Sequence, residues 1–211
     1  WAGLWMIIIP AGWTNKNKGK VAPEEFFKQT FPSLYQHFMS FVNVETKGKG
    51  LLKRDDQGDY WWELRHCDYY PEFEKEKVVW QRITKQFSFC LVPKNIYILD
   101  SMAFLVGENL KYLVGVLNSR LVDFYVKTYV HLYGDTGFLL SNQYVEKISI
   151  PPITQQNQKI ANQIVKLVDQ ILSIKKQNPD ADTSDLEKQI DQLVYKLYGL
   201  TEEEINIIEK T

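Results

Sequence analysis

The chain has 211 residues, of which 45% are hydrophobic, 14% aromatic and 24% charged, with a formal net charge of −1. This composition is enough for one substantial domain, or one domain with an appendage, and it excludes a disordered chain. The net charge provides no global electrostatic argument for a nucleic-acid partner.

The first predicted element is a buried strand over residues 5–9, a continuous apolar run that ends at Pro10 and Gly12. The run is too short to span a bilayer and lacks the charged start and cleavage site of a signal peptide. The chain begins with Trp1 and not with methionine, in a part that we interpret as a strand. We therefore expect the chain to be a fragment of a longer polypeptide.

Two helices are predicted next, because aromatic residues recur at helical spacing over 26–41, with Pro23 in the first turn and Pro32 dividing the run. Residues 43–59 are predicted to form a loop. Between 14 and 54 the chain has eight Lys or Arg against three acidic residues. This basic segment fits phosphate contact, although loop lysines kept for solubility remain an alternative. The predicted DNA phosphate contacts are Lys16, Lys18, Lys20, Lys47, Lys49, Lys53 and Arg54.

Aromatic and polar residues are interleaved in the next part of the chain, over 59–65 and 77–83. Four short strands are predicted, at 77–84, 87–92, 96–100 and 102–106. Strand alternation places Gln81 and Arg82 on opposite faces, so at most one of them reads bases directly. An Arg–guanine contact is worth ~1–3 kcal/mol of discrimination. The alternative for Arg82 is a surface ion pair with Glu63 or Glu76, worth ~0–1 kcal/mol. For the three tryptophans in this part, core packing is favoured over stacking on a base.

A long amphipathic helix is predicted over 108–129, followed by a glycine-hinged loop at 133–138 and a brief strand at 148–150. The polar residues of this loop and its surroundings are placed to reach a groove, although turn chemistry explains them equally well. The predicted candidates for base readout are Gln81, Arg82, Lys85, Lys94, Asn95, Asp135, Thr136, Asn142 and Gln143.

The character of the chain changes after Pro152, which predicts a boundary between segments 1–152 and 153–211. Apolar seams at 160–174 and 186–197 flank a helix-breaking loop, indicating an antiparallel helical hairpin. Capping boxes are predicted at Ser184 with Glu187 and at Thr201 with Glu204. Gly199 is predicted to end the second helix in a left-handed cap, before a short terminal helix. We interpret the two seams primarily as surfaces that pack within the protein. Their functional interpretation is a spacer, or a docking face for another module.

No catalytic signature is found. The only G-x-G, Gly48-Lys49-Gly50, lacks a third glycine and a preceding strand. Three histidines are scattered singly, and Pro151-Pro152 follows Ile150 rather than the Asn of an amino-methyltransferase motif. Two cysteines without a C-x-x-C pattern indicate neither a metal site nor a disulfide framework, so an intracellular, reducing compartment is expected. We predict no catalytic residue and no metal ligand in this chain.

Several strings resemble the TaqI-like C-terminal specificity domain. This is the target-recognition part of type IIG/IIS restriction–modification enzymes and related adenine-specific DNA methyltransferases. The most specific are Leu-x-Gly-x-Leu-Asn-Ser at 113–119 and Ile-x-Ile-Pro-Pro at 148–152, in this order. The resemblance runs from about residue 50 to the end. The strings that carry it lie at 54–65, 77–83, 110–119, 143–152 and 193–201.

The resemblance implies an α+β fold, a mixed α/β target-recognition globule followed by an antiparallel helical hairpin. It implies double-stranded DNA as a partner and a bacterial, cytoplasmic restriction–modification enzyme as the parent. Methyltransferase and nuclease modules are expected upstream, with S-adenosylmethionine and Mg²⁺ as their cofactors and none in this chain. The predicted function is non-catalytic, sequence-specific recognition of double-stranded DNA. The alternative is a protein-interaction or spacer module that docks a methyltransferase or nuclease subunit.

Overall fold

The computed structural model describes residues 3–42, 50–134 and 137–210. Their contacts divide the chain into two compact units, Trp1–Pro71 and Glu72–Thr211. These units differ from the segments 1–152 and 153–211 that composition predicted. The physical reason is that the C-terminal helices pack on a helix that precedes Pro152, as described below, so no boundary in the packing follows that residue.

The first unit is helical and holds an aromatic core. Its helices are α1, α2 and α3, which span Trp13–Asn17, Pro23–Thr30 and Pro32–Met39. Proline occupies the first turn of α2 and of α3, which confirms the prediction of two helices. Buried Phe27 stacks on buried Trp62 with ring centroids 5.0 Å apart, and Tyr60 also stacks on Trp62 at 5.0 Å. The stacked rings hold the segment around residue 62 against α2.

The predicted N-terminal strand is wrong. Residues 3–10 contain no strand, and the side chains of Leu4 and Trp5 are 77% and 92% exposed. Only Ile9 enters the core, with its carbonyl accepting a hydrogen bond from the Leu64 amide at 2.8 Å. A buried strand needs backbone partners on both sides. The described part of this unit is built of helices and turns and supplies only that single contact.

The second unit is built on two small antiparallel sheets. Strands β1 to β5 span Lys77–Gln81, Ile83–Thr84, Phe89–Val92, Met102–Leu105 and Phe138–Leu139. One sheet has the order β3-β1-β4, and β2 pairs with β5 in the other. Because β1 is the central strand, Val78, Val79 and Trp80 are all buried, and only Gln81 is exposed. The predictions for Trp62 and Trp80 as core residues are confirmed.

Two predicted strands are absent. Residues 96–100 form turn and coil, because β3 and β4 already occupy both edges of β1. Residues 148–150 carry no ladder either. Both segments are short apolar runs, and strand propensity alone does not form a strand without backbone pairing.

The predicted helix over 108–129 is two helices, α4 at Leu110–Leu117 and α5 at Arg120–Tyr129. The break lies at Asn118, whose side-chain amide accepts from the Phe89 amide at 2.9 Å and donates to the Phe89 carbonyl at 2.8 Å. The same amide donates to the Val114 carbonyl. Asn118 therefore pairs with the edge of β3 as a strand would, and the helix ends there. A short helix, α6, follows at Asn142–Val145.

The C-terminal helices α7, α8 and α9 span Gln158–Gln177, Ser184–Tyr198 and Glu202–Glu209. The Thr201–Glu204 capping box and the left-handed Gly199 (φ 66°) are confirmed. The capping box predicted at Ser184 is wrong, because Thr183 is the N-cap residue and its side chain makes no capping hydrogen bond. The Thr183 hydroxyl donates instead to the Glu187 carboxylate at 2.6 Å. The α+β fold with a helical hairpin is confirmed. Among the described helices, none has the length and apolar character needed to cross a bilayer.

The hairpin shares the core of the sheet unit. A Cβ placed on Gly115 of α4 would lie 2.4 Å from Ile164 Cγ2 and 3.1 Å from Val168 Cγ2, both on α7. Only a residue without a side chain allows this approach. Both α7 residues are buried in the same cluster as Trp80 and Phe89. Helices α4 and α7 therefore form one packed layer over the sheet.

Candidate nucleic-acid interface

The β2–β5 ladder, residues 81–85 with 138–143, brings two candidate readout segments together. Ile83 pairs with Leu139 and Thr84 with Phe138. The ladder continues past β5, where the Leu140 amide donates to the Arg82 carbonyl at 2.7 Å. Residues 54 to 58 positions apart in sequence are thus fixed side by side.

A glycine makes this pairing possible. Gly137 has a φ of 121°, and a Cβ there would lie 2.3 Å from the Thr84 carbonyl oxygen. Before it, the Tyr133 amide donates to the Gly137 carbonyl at 2.7 Å, and the Leu139 amide donates to the His131 carbonyl at 3.1 Å. Residues 131–133 are therefore hydrogen-bonded to residues 137–139, beside β2. The candidates Asp135 and Thr136 lie outside the described residues.

The described candidates on the β2–β5 ladder are accessible. Gln81, Lys85, Asn142 and Gln143 are exposed, the last two in the first turn of α6. Arg82 is partly exposed. This group offers amide and cationic side chains, the types that pair with base edges.

Arg82 forms an ion pair, but its partner is Asp100 rather than the Glu63 or Glu76 considered from sequence. Its Nη1 lies 3.3 Å from Asp100 Oδ1 and donates to the Asp100 carbonyl at 3.2 Å. The Asp100 side chain is fully exposed, so solvent screens the pair and its contribution is ~0–1 kcal/mol. The guanidinium can exchange this partner for a base at small cost.

Lys94 and Asn95 lie at the other end of the sheet. Val92 pairs with Lys77, so the turn after β3 sits beside the start of β1, whereas the β2–β5 ladder follows its end. Five strand residues separate the two ends by about 13 Å. Buried Lys77 holds this turn by donating to the Pro93 and Ile96 carbonyls at 3.4 and 3.2 Å, and burial lowers the pKa of Lys77. The structure therefore does not bring these two candidates together with the others.

The basic segment of the first unit is only partly described. Lys16, Lys20 and Lys53 are exposed and Lys18 is half-buried, while Lys47 and Lys49 lie outside the described residues. The exposed lysines stand on α1, on the turn after it and on the short 3₁₀ turn Leu51–Lys53. Their role as phosphate contacts stays a prediction.

Arg54 is engaged within the protein. Its guanidinium donates to the carbonyls of Glu63 and, at 3.4 Å, Trp61, and it lies 3.9 Å from the Asp56 carboxylate. Its side chain is 21% exposed. These contacts give Arg54 a role in holding the 54–63 loop together, in addition to any contact with a phosphate.

Sequence reasoning missed a depression of about 350 Å³ beside the ladder, which we term the basic depression. Its lining combines Lys85 with two cations of α5, Arg120 and Lys127. The two α5 residues are seven positions apart, so they lie on one face of the helix. That spacing was the only available signal, because the contact with Lys85 depends on how α5 packs against the ladder.

The TaqI-like C-terminal specificity domain family matches residues 20–151, more than half of the chain. The chain belongs to this family. A search of curated proteins finds no match. The TaqI-like match begins earlier than the resemblance at about residue 50 and ends before the helical hairpin. Membership implies DNA target recognition in a restriction–modification enzyme, and a specificity domain is not catalytic by itself.

Several of the motif residues that carry the resemblance have structural roles in the fold. Gly115 allows α4 to approach α7, and Asn118 ties the end of α4 to β3. The Ser119 hydroxyl donates to the Val116 carbonyl at 2.6 Å, and the Tyr112 hydroxyl donates to the Pro151 carbonyl at 2.8 Å. In this TaqI-like domain these motif residues thus fix the scaffold, while the exposed candidates Gln81 and Gln143 belong to other strings of the resemblance, at 77–83 and 143–152.

Proposed function

We propose that this chain selects a specific double-stranded DNA sequence for a restriction–modification enzyme, and that the β2–β5 ladder contacts the base edges. The observation that carries the proposal is the pairing of residues 82–84 with residues 138–140, which places segments 81–85 and 138–143 beside each other. It gathers Gln81, Arg82, Asn142 and Gln143 on neighbouring backbone segments. Arg pairs with guanine, and Asn or Gln pairs with adenine, each through two hydrogen bonds in the major groove.

The backbone beneath these side chains is held on both sides. The Arg82 amide donates to the Ser101 carbonyl at 3.0 Å, and its carbonyl accepts from Leu140. Trp80, buried in the core, donates from its indole to the Leu140 carbonyl at 3.0 Å. Base discrimination requires side chains that are held in position, and a ladder anchored in the core supports that requirement.

Phosphate contacts by the basic segment complete the proposed mechanism. Exposed Lys16, Lys20 and Lys53, with Lys18, Lys47 and Lys49, would fix the position of the duplex without carrying sequence information. Such contacts release counterions, so affinity for DNA is expected to fall steeply as salt rises. We also propose a bacterial, cytoplasmic parent enzyme whose other modules use S-adenosylmethionine and Mg²⁺.

In vitro selection tests the readout proposal. The 211-residue chain is used to select from a library of random duplexes, which yields its preferred sequence. Arg82→Ala and Gln143→Ala are each expected to relax preference at one base position, at a cost of ~1–3 kcal/mol. Lys94→Ala, at the far end of the sheet, is the matched control. Selection that yields no preferred sequence, or variants that all leave it unchanged, would contradict the proposal.

A second candidate function is the docking of a methyltransferase or nuclease subunit by the hairpin. A groove of about 530 Å³ between α7 and α8 favours it, because Leu167 and Leu193 lie there among Gln and Lys side chains. Charge reversal separates the two functions. Lys16→Glu, Lys20→Glu and Lys53→Glu together should abolish DNA binding if the chain reads DNA. The same triple variant should keep full binding to a partner subunit if the hairpin is the functional surface.

A further inference from the structure

The basic depression lies directly beside the β2–β5 ladder. Lys85 follows β2 immediately, and Phe138 of β5 pairs with Thr84 and also lines the depression. The full lining is Lys85, Gln86, Phe87, Asn118, Arg120, Asp123, Lys127 and Phe138. The depression is therefore a continuation of the same surface on which the candidate readout residues stand.

Positive charge exceeds negative charge at this place. Asp123 is the one carboxylate in the lining, and it contacts both α5 cations, at 3.0 Å from Lys127 and 3.6 Å from Arg120. Glu209 of α9 reaches Arg120 from outside the lining, at 3.9 Å. The lining of the depression thus has three cations and one carboxylate, while Glu209 and Asp191 contact Arg120 from outside the lining.

The walls of the depression are fixed by contacts that a ligand would not disturb. The Asn118 side chain is fully engaged with the backbone of β3 and α4. Helix α5 is anchored at its start, where the Arg120 amide donates to the carboxylate of Asp191 at 2.8 Å. The cationic side chains remain accessible, because Lys85, Arg120 and Lys127 are all exposed. Rigid walls that carry accessible cations suit the binding of an anion from solvent.

We propose that the basic depression binds a backbone phosphate of the same duplex whose bases the β2–β5 ladder contacts. This inference rests on the proposed function, since it takes DNA as the partner. Lys85 and Lys127 act as the phosphate contacts, and Arg120 supports them while keeping its bonds within the protein. A phosphate held next to the ladder sets the depth and register at which the side chains of 81–85 and 142–143 meet base edges.

An acidic peptide is the competing occupant, and the position of the depression favours DNA. A peptide would be recognised by charge alone, whereas a duplex engages the depression and the amide side chains of the ladder together. Counterion release also provides a quantitative signature, because each phosphate contact adds about 0.9 to the slope of log affinity against log salt.

The test compares Lys85→Gln/Lys127→Gln with Lys188→Gln/Lys196→Gln, which removes the same charge from exposed positions on α8. Affinity for a duplex is measured by fluorescence anisotropy from about 50 to about 200 mM salt. Because the two lysines hold one phosphate, the first pair should lower the slope by about 0.9, so that over this range the wild type loses about 3.5-fold more affinity than the variant. The α8 pair should keep the wild-type slope. Matching circular dichroism spectra and melting temperatures establish that both variants are folded.

The outcomes separate the two proposals. Salt-dependent binding by the wild type with an unchanged slope in Lys85→Gln/Lys127→Gln overturns the phosphate site and leaves the proposed function standing. Absence of duplex binding by the wild type overturns the proposed function. In that case a titration with inorganic phosphate, followed by NMR amide shifts, tests the depression alone: shifts confined to residues 85–87 and 118–127 support an anion site, and their absence overturns it. In the same assay, unlabelled DNA and polyglutamate are each used to displace the labelled duplex. Displacement by polyglutamate at the concentration at which unlabelled DNA displaces it overturns the preference for DNA.

Discussion

Asp191 of α8 is a buried carboxylate that joins the hairpin to the sheet unit. It is 9% exposed, and its Oδ1 accepts a hydrogen bond from the Arg120 amide at the start of α5. Burial raises the pKa of Asp191 to about 6 from the ordinary 3.8. The hydrogen bond from Arg120 opposes this shift, and the nearby carboxylates of Glu209 and Glu187 add to it.

The sign of the pH dependence follows from the raised pKa. Between pH 3.8 and about 6 the folded protein holds a proton that the unfolded chain has released. The free energy of unfolding therefore falls as pH rises through this window. A shift of about 2 pKa units corresponds to about 3 kcal/mol of stability that is present below pH 3.8 and lost above pH 6.

Asp191→Asn keeps an oxygen acceptor for the Arg120 amide and removes the buried charge. Near pH 4 we expect the free energy of unfolding of this variant to equal that of the wild type. Near pH 8 we expect the variant to be more stable by up to about 3 kcal/mol. Urea unfolding followed by far-UV circular dichroism across this pH range measures the difference. Asp185→Asn, at the 93% exposed start of α8, is the matched control and should show no such trend. A stability difference for Asp191→Asn that does not change with pH would refute the reasoning.

Three further perturbations test the scaffold. Glu63→Gln should destabilise the first unit by ~1–3 kcal/mol, measured by urea unfolding with tryptophan fluorescence. The buried Glu63 carboxylate accepts hydrogen bonds from three backbone N–H groups, and a glutamine amide cannot accept all of them. Gly115→Ala should lower stability by ~1–3 kcal/mol in thermal denaturation, since its Cβ meets Ile164; an unchanged melting temperature would contradict the close packing of α4 on α7. Trp80→Phe removes the indole donor to the Leu140 carbonyl, so hydrogen exchange in segment 138–141 should accelerate, whereas exchange in α7 should stay at its wild-type rate.

Local signals in the sequence predicted the helices well. Pro32 separates α2 from α3, Gly199 ends α8 in a left-handed conformation, and Thr201 caps α9. Each of these effects acts within about one helical turn, so a short window of sequence contains the whole cause. The apolar seams of the hairpin have the same local character.

Predictions that depended on distant partners were less successful. Residues 5–9 and 96–100 have strand-like composition, but whether a strand forms depends on a free edge elsewhere in the chain. The break at Asn118 has a similar cause, because its amide is drawn to β3, which lies 29 residues away in sequence. Helical periodicity continues across that break and so conceals it.

For the candidate interface, residue type was a better guide than position. Gln81, Arg82, Asn142 and Gln143 lie on segments that flank the pairing of β2 with β5, and their role as base readers stays a prediction. Lys94 satisfied the same chemical criteria and lies at the other end of the sheet. The basic depression combines residues from three segments, 85–87, 118–127 and 138, which no local pattern connects.

The packing of α7 against Gly115 has a practical consequence for recombinant work. A polypeptide trimmed at the edge of the family match, residue 151, would lose Ala161, Ile164 and Val168 and leave the face of α4 around Gly115 open to water. Such a truncation product is expected to aggregate, because the apolar surface that α7, α8 and α9 cover becomes exposed to solvent. Expression boundaries for this protein should therefore be placed after residue 209, even though the portion that defines the family stops far earlier.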